Sequence, residues 1–377
     1  MNRYPNIIAI LSYGRSGTGL ASSLFDGHKD ISIFPDHILQ NFYDFWRFYS
    51  KKNKKLVIGK FTEIFEIFFE PSEKKNYFHK SVGIIGSAYS CGFTQLGKNK
   101  NKTIRVNKKK FIRYLNNFFL NNEFNRRNFF ISVHFAYNYC LYNKLNTKFI
   151  VFNFHVPSKK NFKSFFNDFP DANFLQMIRE PLPAMYSMFR AFNEKKFFNG
   201  NYINFILDMM KSRGNYEFVK TNKILYLKLE DLHSNPKKAI KKICKKFSIN
   251  FENILLKSTI NNLMWHNEIG SSVRVSGFSK KVIQQKYHKF FWPKDDLIFF
   301  KFLKDKYSFF NYKSNKYNSV LSAILFYVCI LIPFKIEILQ IKKIKNFQNL
   351  KILLINYLKN RILILKYFYR KKFFRIN

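Results

Sequence analysis

Five consecutive apolar residues, Ile7–Leu11, run directly into the stretch SYGRSGTG at positions 12–19, and this junction constrains the fold more than any other part of the chain. A short apolar run bounded by Pro5 and a glycine loop reads as a strand buried on both faces, as in a parallel sheet. Beyond Gly19, residues Leu20, Ser23, Leu24 and Phe25 recur at helical spacing up to a stop at Gly27. A strand, a glycine loop and a helix in that order expose backbone N–H groups at a helix N-terminus. By geometry and dipole that is an anion site.

Later segments repeat the alternation. Asp168–Asp171 has turn chemistry around Pro170, and NFLQMIRE at 173–180 reads as a second strand. PLPAMYSMFRAF follows as a helix with prolines in its first turn, where they are tolerated. KILYLKLEDL at 223–232 is a third strand candidate. SNPKKAIKKICKKF then reads as a helix capped by Ser234 or Asn235, with Pro236 at its first position and Ala239, Ile240, Ile243 and Phe247 as its apolar stripe. Strands alternating with helices define an α/β fold with a central parallel sheet flanked by helices. Residues 40–130 are Lys-, Asn- and Phe-rich and read as helices of undetermined order.

The C-terminal part changes character. Val320–Phe334 is uncharged, but shorter than the roughly 20 residues a spanning helix needs. Residues 335–377 mix Ile, Leu and Phe with Lys and Arg, as a basic amphipathic surface helix does. Three readings stand side by side: a helical cap on the fold, a peripheral membrane attachment and a true span. The expected division is a domain over 1–310 and a basic, hydrophobic helical tail over 311–377.

A net charge of +43 over 377 residues has the look of a nucleic-acid binder. Lys, Asn, Ile and Phe are inflated together, however, as a coding bias would produce, and the basic residues form no single block. The charge therefore implies an anionic partner carrying phosphate or sulfate, and no specific nucleic acid. The four cysteines, Cys91, Cys140, Cys244 and Cys329, form no CxxC pair, which argues against a zinc site or a disulfide framework and suits a reducing compartment. Met1–Asn6 shows no charged n-region leading to a long apolar stretch and cleavage site. A cytoplasmic placement is expected, with peripheral contact at the inner membrane face through the tail.

The glycine loop is neither of two standard phosphate cradles. An ATP-type P-loop needs a Lys directly after its last Gly, and here Leu20 follows Gly19. The dinucleotide fingerprint also fails, because Gly14, Gly17 and Gly19 are wrongly spaced. The stretch YGRSGTGLASSLFDGHKDI at 13–31 instead resembles the 5′-phosphosulfate loop of sulfotransferases that use 3′-phosphoadenosine-5′-phosphosulfate, most closely the carbohydrate and tyrosylprotein branches. It keeps Asp26, His28 and Asp30, with Lys29 where Pro is usual. A second block, FPDANFLQMIREPLPAMYS at 169–187, is similar to the family's 3′-phosphate block, with Ser187 eight residues after Arg179. A third, at 224–249, resembles the family's stretch around an EDL triplet, with Leu229 in place of the usual Tyr. The resemblance spans about residues 5–300, with 40–165 poorly covered.

This resemblance implies a P-loop-like three-layer sandwich and transfer of a sulfuryl group from that donor, without a metal, to a hydroxyl on a glycan, a glycolipid or a small molecule. Ser16, Gly17, Thr18 and Gly19, with Gly14 before them, would hold the 5′-phosphate, and Arg179 and Ser187 the 3′-phosphate. Arg15 has a fixed charge and a planar fork suited to sulfate or phosphate oxygens, and would stabilise charge shifting at the transferred group. Ser271, Arg274 and Lys280, in the late loop IGSSVRVSGFSKK, are further nucleotide contacts by the same resemblance. The acceptor hydroxyl also needs a base. Counted from Arg15, the acidic base of the tyrosylprotein branch falls on Asp36. His37 is adjacent, and His134 matches the base of the cytosolic branch as a histidine following a strand. Two rivals remain: a phosphotransferase with a degenerate P-loop, and a non-enzymatic polyanion binder.

Overall fold

The structure is a computed structural model that describes residues 4–144, 147–155, 157–194, 201–213, 221–266, 276–284, 291–313, 320–342 and 346–373. The chain begins β1 (Asn6–Ser12), α1 (Thr18–Ser23), β2 (Ile31–Ile33), α2 (Phe42–Tyr49), α3 (Lys54–Ile64), β3 (Asn76–His79) and β4 (Gly83–Ser87). It continues α4 (Lys108–Phe118), α5 (Arg126–Tyr142), β5 (Phe149–Asn153), α6 (Lys159–Asp168), β6 (Asn173–Ile178), α7 (Pro181–Glu194) and α8 (Asn201–Ser212). There follow β7 (Ile224–Lys228), α9 (Leu229–Ser234), α10 (Pro236–Phe247), β8 (Thr259–Ile260), β9 (Leu263–Met264) and α11 (Pro293–Phe309). The last helices are α12 (Val320–Ile330), α13 (Lys335–Ile341) and α14 (Phe347–Phe373).

These elements form two compact units. One comprises Met1–Ser12, Gly17–Met177 and Phe218–Ile283; the other comprises Tyr13–Ser16, Ile178–Glu217 and Gln284–Asn377. The grouping differs from a boundary at residue 310, because the tail belongs with α7, α8 and α11.

The first unit contains a parallel five-stranded sheet in the order β2-β5-β1-β6-β7. The α/β class expected from the alternation is what the chain adopts. β1 is central: Asn6–Ile10 pair with Phe149–Asn153 and Ile8–Ser12 with Asn173–Met177. Ile8, Ile10, Val151, Leu175, Met177 and Leu227 pack with α1 and α10 into one core, where Ala239, Ile240, Ile243 and Phe247 form the expected buried stripe. Pro236 occupies the first turn of α10, and neither Ser234 nor Asn235 makes a side-chain cap.

Some elements differ from expectation. α1 ends at Ser23 rather than reaching Gly27. Its Ser22 and Ser23 hydroxyls donate back to the Gly19 and Leu20 carbonyls, an alternative to continued helix. The third strand stops at Lys228, and LEDLHS forms α9. Residues 40–130 hold the antiparallel hairpin β3–β4 as well as helices. The uncharged segment at 320–334 breaks after Ile330, and the basic segment that follows is two helices.

The turn after α1 is fixed by Asp26. Its Oδ1 accepts from the Tyr142 hydroxyl at 2.6 Å, and its Oδ2 from Thr259 Oγ1 at 2.8 Å and the Asn262 amide at 2.9 Å. His28 Nε2 is hydrogen-bonded to the Asn250 carbonyl at 2.9 Å. The acidic and imidazole groups of the DGHKD block thus tie the end of α1 to α5 and to the segment after α10. Asp26→Ala would strand three donors, each worth on the order of 1 kcal/mol or more when buried. We expect a loss of about 3 kcal/mol, read from denaturant unfolding; a change within experimental error would mean that the network contributes nothing net.

Candidate active site

The loop after β1 begins where two strands end level, since Ser12 pairs with Met177. In open α/β sheets, ligands bind beyond the carboxyl ends of the strands. The loop's first half belongs to the second unit and its second half to the first.

In the second unit, Gly14 has φ +119°, and a Cβ there would lie 2.9 Å from Met188 Sδ. Arg15 itself is left-handed, at φ +45°. A non-glycine residue held there stores backbone strain, and such strain gathers at functional sites. Arg15 Nε donates to Ser187 Oγ at 3.4 Å, and Arg179 Nη1 donates to the Arg15 carbonyl at 3.4 Å. Ser16 Oγ accepts from the Tyr13 amide at 3.3 Å. Arg179 is only 4% exposed, directly after β6, and Ser187 is buried in α7. The structure therefore brings together Arg15, Ser16, Arg179 and Ser187. Two guanidinium groups and two hydroxyls are a donor set suited to phosphate or sulfate oxygens.

In the first unit, Gly17 caps α1 in the left-handed conformation at φ +83°, and its Cβ position lies 2.5 Å from Leu229 Cδ1. Leu229 thus leaves no room for a side chain at this position. Thr18 Oγ1 is hydrogen-bonded to His155 Nδ1 at 2.8 Å. The His155 ring lies 5.1 Å from that of His37, nearly parallel. His37 Nδ1 is 2.7 Å from Asp36 Oδ1. The cluster returns to the loop at Gly19, whose Cβ would sit 3.4 Å from Asp36 Oδ1 and 3.2 Å from Trp265. A side chain at Gly19 would crowd the Trp265 ring and just touch this carboxylate.

Burial pushes the Asp36 carboxyl pKa up, but the charge and hydrogen bond of His37, the charge of His155 and the Cys91 thiol outweigh it. The carboxyl is held below its ordinary value of 3.8. The Asp36 side chain is 3% exposed and that of His37 is 27% exposed. The carboxylate is the fixed member of the pair and the imidazole the accessible one.

His134 is not part of either group. Rather than following a strand, it sits within α5, where Asn128–Asn138 are buried on every side of the helix, and it packs against Phe34, Phe130 and Phe152. Neither ring nitrogen has a hydrogen-bond partner among the described residues, and burial lowers its pKa to about 3. It is a neutral core residue. The criterion that selected it is met by His155, two residues beyond β5, which sequence reasoning passed over. Lys280 is exposed in a short helical turn, and Ser271 and Arg274 lie outside the described residues. Among the described residues, no group of three or more His, Cys, Asp and Glu side chains is placed to hold a metal.

The sulfotransferase family model matches residues 5–253, and the chain belongs to that family. It is accordingly a transferase of sulfuryl groups. No curated protein matches it significantly. Among solved structures it is similar to the sulfotransferase domain of the Synechococcus PCC 7002 olefin synthase, at 14% identity and TM-score 0.39, over 78% of this chain and 90% of that one. The sulfotransferase domain of the curacin biosynthetic pathway matches at 15% identity and TM-score 0.36, over 73% and 85%. Sulfotransferase STF9 from Mycobacterium avium matches at 12% identity and TM-score 0.34, over 67% and 65%.

Gly17→Ala tests the packing of the loop. A left-handed alanine costs roughly 1–2 kcal/mol, and displacing the buried Leu229 side chain adds about 1 kcal/mol or more. Leu229→Ala introduced alongside should recover the second part and leave the first. Full additivity of the two losses in thermal unfolding would show that the contact does not limit the loop.

Proposed function

We propose that the chain transfers a sulfuryl group from 3′-phosphoadenosine-5′-phosphosulfate to a hydroxyl, with a carbohydrate or glycolipid as the leading acceptor class, by in-line displacement. The observation that carries the reading is the pairing of buried Arg179 with the Arg15 backbone and of Arg15 with Ser187. When bound, the donor would supply the sulfuryl group and a phosphate leaving group. Arg179 and Ser187 would hold its 3′-phosphate, and Ser16, Gly17, Thr18 and Gly19 its 5′-phosphate. Arg15 would stabilise negative charge as it moves onto the leaving oxygen.

For the base, the reading favours His37 over Asp36. A carboxylate that is buried and held ionised takes up a proton poorly near neutral pH, but it orients an imidazole well. Asp36 Oδ1 would fix His37 through Nδ1, and the imidazole would take the acceptor's proton. A second reading gives that proton to His155, favoured by its place after β5 and its bond to Thr18. A cytoplasmic setting completes the proposal and agrees with the four free cysteines.

Calorimetric titration with 3′-phosphoadenosine-5′-phosphate, ATP and ADP at two salt concentrations tests the donor. Selective binding of the 3′-phosphorylated nucleotide is expected, weakened by about 1.5–3 kcal/mol, roughly 10- to 150-fold, in Arg179→Ala. Equal binding of all three would favour a phosphotransferase. Binding that vanishes at higher salt would favour a polyanion binder. Turnover separates the bases. His37→Ala should lower kcat on the order of 100-fold or more, with Asp36→Asn shifting the pH profile, whereas His134→Phe should leave kcat unchanged. Loss of turnover in His155→Gln with His37→Ala active would transfer the role to His155.

A further inference from the structure

The C-terminal helices of the second unit expose a run of aliphatic side chains. α12 buries Phe326 and Ile330 and turns Ile324, Leu325 and Val328 to the outside. Leu331 and Ile332 extend that spacing into the following turn, with Ile324 61% and Leu331 67% exposed. α14 exposes Leu354, Ile355, Leu358 and Ile362 while burying Asn356, Asn360 and Arg361 beside Leu353 and Ile364. Several of these buried polar groups bond to one another. Arg361 donates to Glu337 at 3.0 and 2.7 Å, and Asn360 Nδ2 donates to Glu337 Oε1 at 2.9 Å. A helix in water places its polar side outward. An exposed aliphatic face over a partly polar interior is the pattern expected against an apolar medium.

We propose that this face docks in the interfacial region of an anionic phospholipid membrane, with α12 and α14 lying along the surface. Charge complementarity selects this occupant. Residues 335–377 carry twelve Lys or Arg and a single acidic residue, Glu337, which is buried in its ion pair. Lys342, Lys351, Lys359 and Lys366 are exposed around the apolar stripe. Apolar insertion combined with basic side chains reaching anionic headgroups is how a surface helix binds a bilayer. An open groove of about 440 Å³, lined by Phe205, Ile362, Leu363, Lys359 and Lys366 among others, extends the same surface onto α8.

Crossing the membrane does not fit this geometry. Ile324–Ile341 is apolar enough by composition, but α12 ends at Ile330. The turn beyond is pinned by Arg361 Nη2 to the Ile332 carbonyl at 3.2 Å and by Lys294 Nζ to the Pro333 carbonyl at 2.8 Å.

The test is co-sedimentation of the full-length protein with vesicles of phosphatidylcholine alone or mixed with phosphatidylglycerol, at low and physiological salt. The parent should pellet with the mixed vesicles and retain part of that binding at physiological salt. Leu354→Ser/Leu358→Ser/Ile362→Ser should weaken partitioning by about tenfold or more. Ile324→Ser/Val328→Ser on α12 should act likewise if the first variant proves unstable to heating. Lys351→Glu/Lys359→Glu should weaken binding to the mixed vesicles only. The proposal is overturned if the parent stays in solution, or if both apolar variants pellet as the parent does, which would reduce binding to net charge. It is equally overturned if the parent is a concentration-dependent dimer that the apolar variants dissociate, which would assign the face to a second copy.

Discussion

The structure depends on the double pairing of β1. Its residues are bonded to β5 over Asn6–Ile10 and to β6 over Ile8–Ser12, so the two registers are offset by two residues. A strand with neighbours on both sides has its backbone groups consumed and both faces buried, and it has to be apolar throughout. Ile7–Leu11 meets that demand. At Ser12 the ladder ends, and the chain turns away through three left-handed residues, Gly14, Arg15 and Gly17. Two are glycines and adopt that conformation cheaply. The third is an arginine, so the loop's strain sits on the residue with the most directed chemistry.

The same packing explains why the loop glycines are not interchangeable with small residues. At Gly14 the obstacle is Met188, at Gly17 it is Leu229, and at Gly19 it is Trp265 together with the Asp36 carboxylate. The first two demand a positive φ as well as space. The third needs space chiefly beside Trp265, next to the acidic group. Asp36 is balanced between two opposed effects. Desolvation favours its neutral form, and the imidazoles of His37 and His155 favour its charged form and win. Its folded pKa is depressed, so the associated stability is present above the ordinary carboxylate range and is lost as pH falls through the folded value.

What the sequence made legible follows the same physics. β1, β6 and β7 are apolar runs with punctuation, and each was readable. β2 is three residues long and carries no period. β5, FIVFN, sits in a background so rich in Phe, Ile and Asn that it does not stand out. With β5 unread, His155 had no strand to follow, and ISVHFAY took its place although it lies in a helix buried on all sides. Asp36 was found by counting from Arg15. Its role as the partner of His37 was not legible, because adjacent residues share no face in regular structure. The left-handed backbone of Asp36, at φ +52°, is what turns the two side chains together.

The tail carries the complementary lesson about charge. A net +43 spread along the chain says little about where it acts, and one place where its arrangement becomes specific is the tail. In α14 the arginine is inside, stacked 4.0 Å over Phe334 and bonded to Glu337, while leucine and isoleucine face out and lysines flank them. Burying an ion pair gains little stability over a well-packed apolar pair. An aqueous surface supplies no reason to retain it with four aliphatic side chains exposed one turn away. The arrangement is economical only if something apolar covers that face, and the surrounding lysines give the covering medium a negative sign.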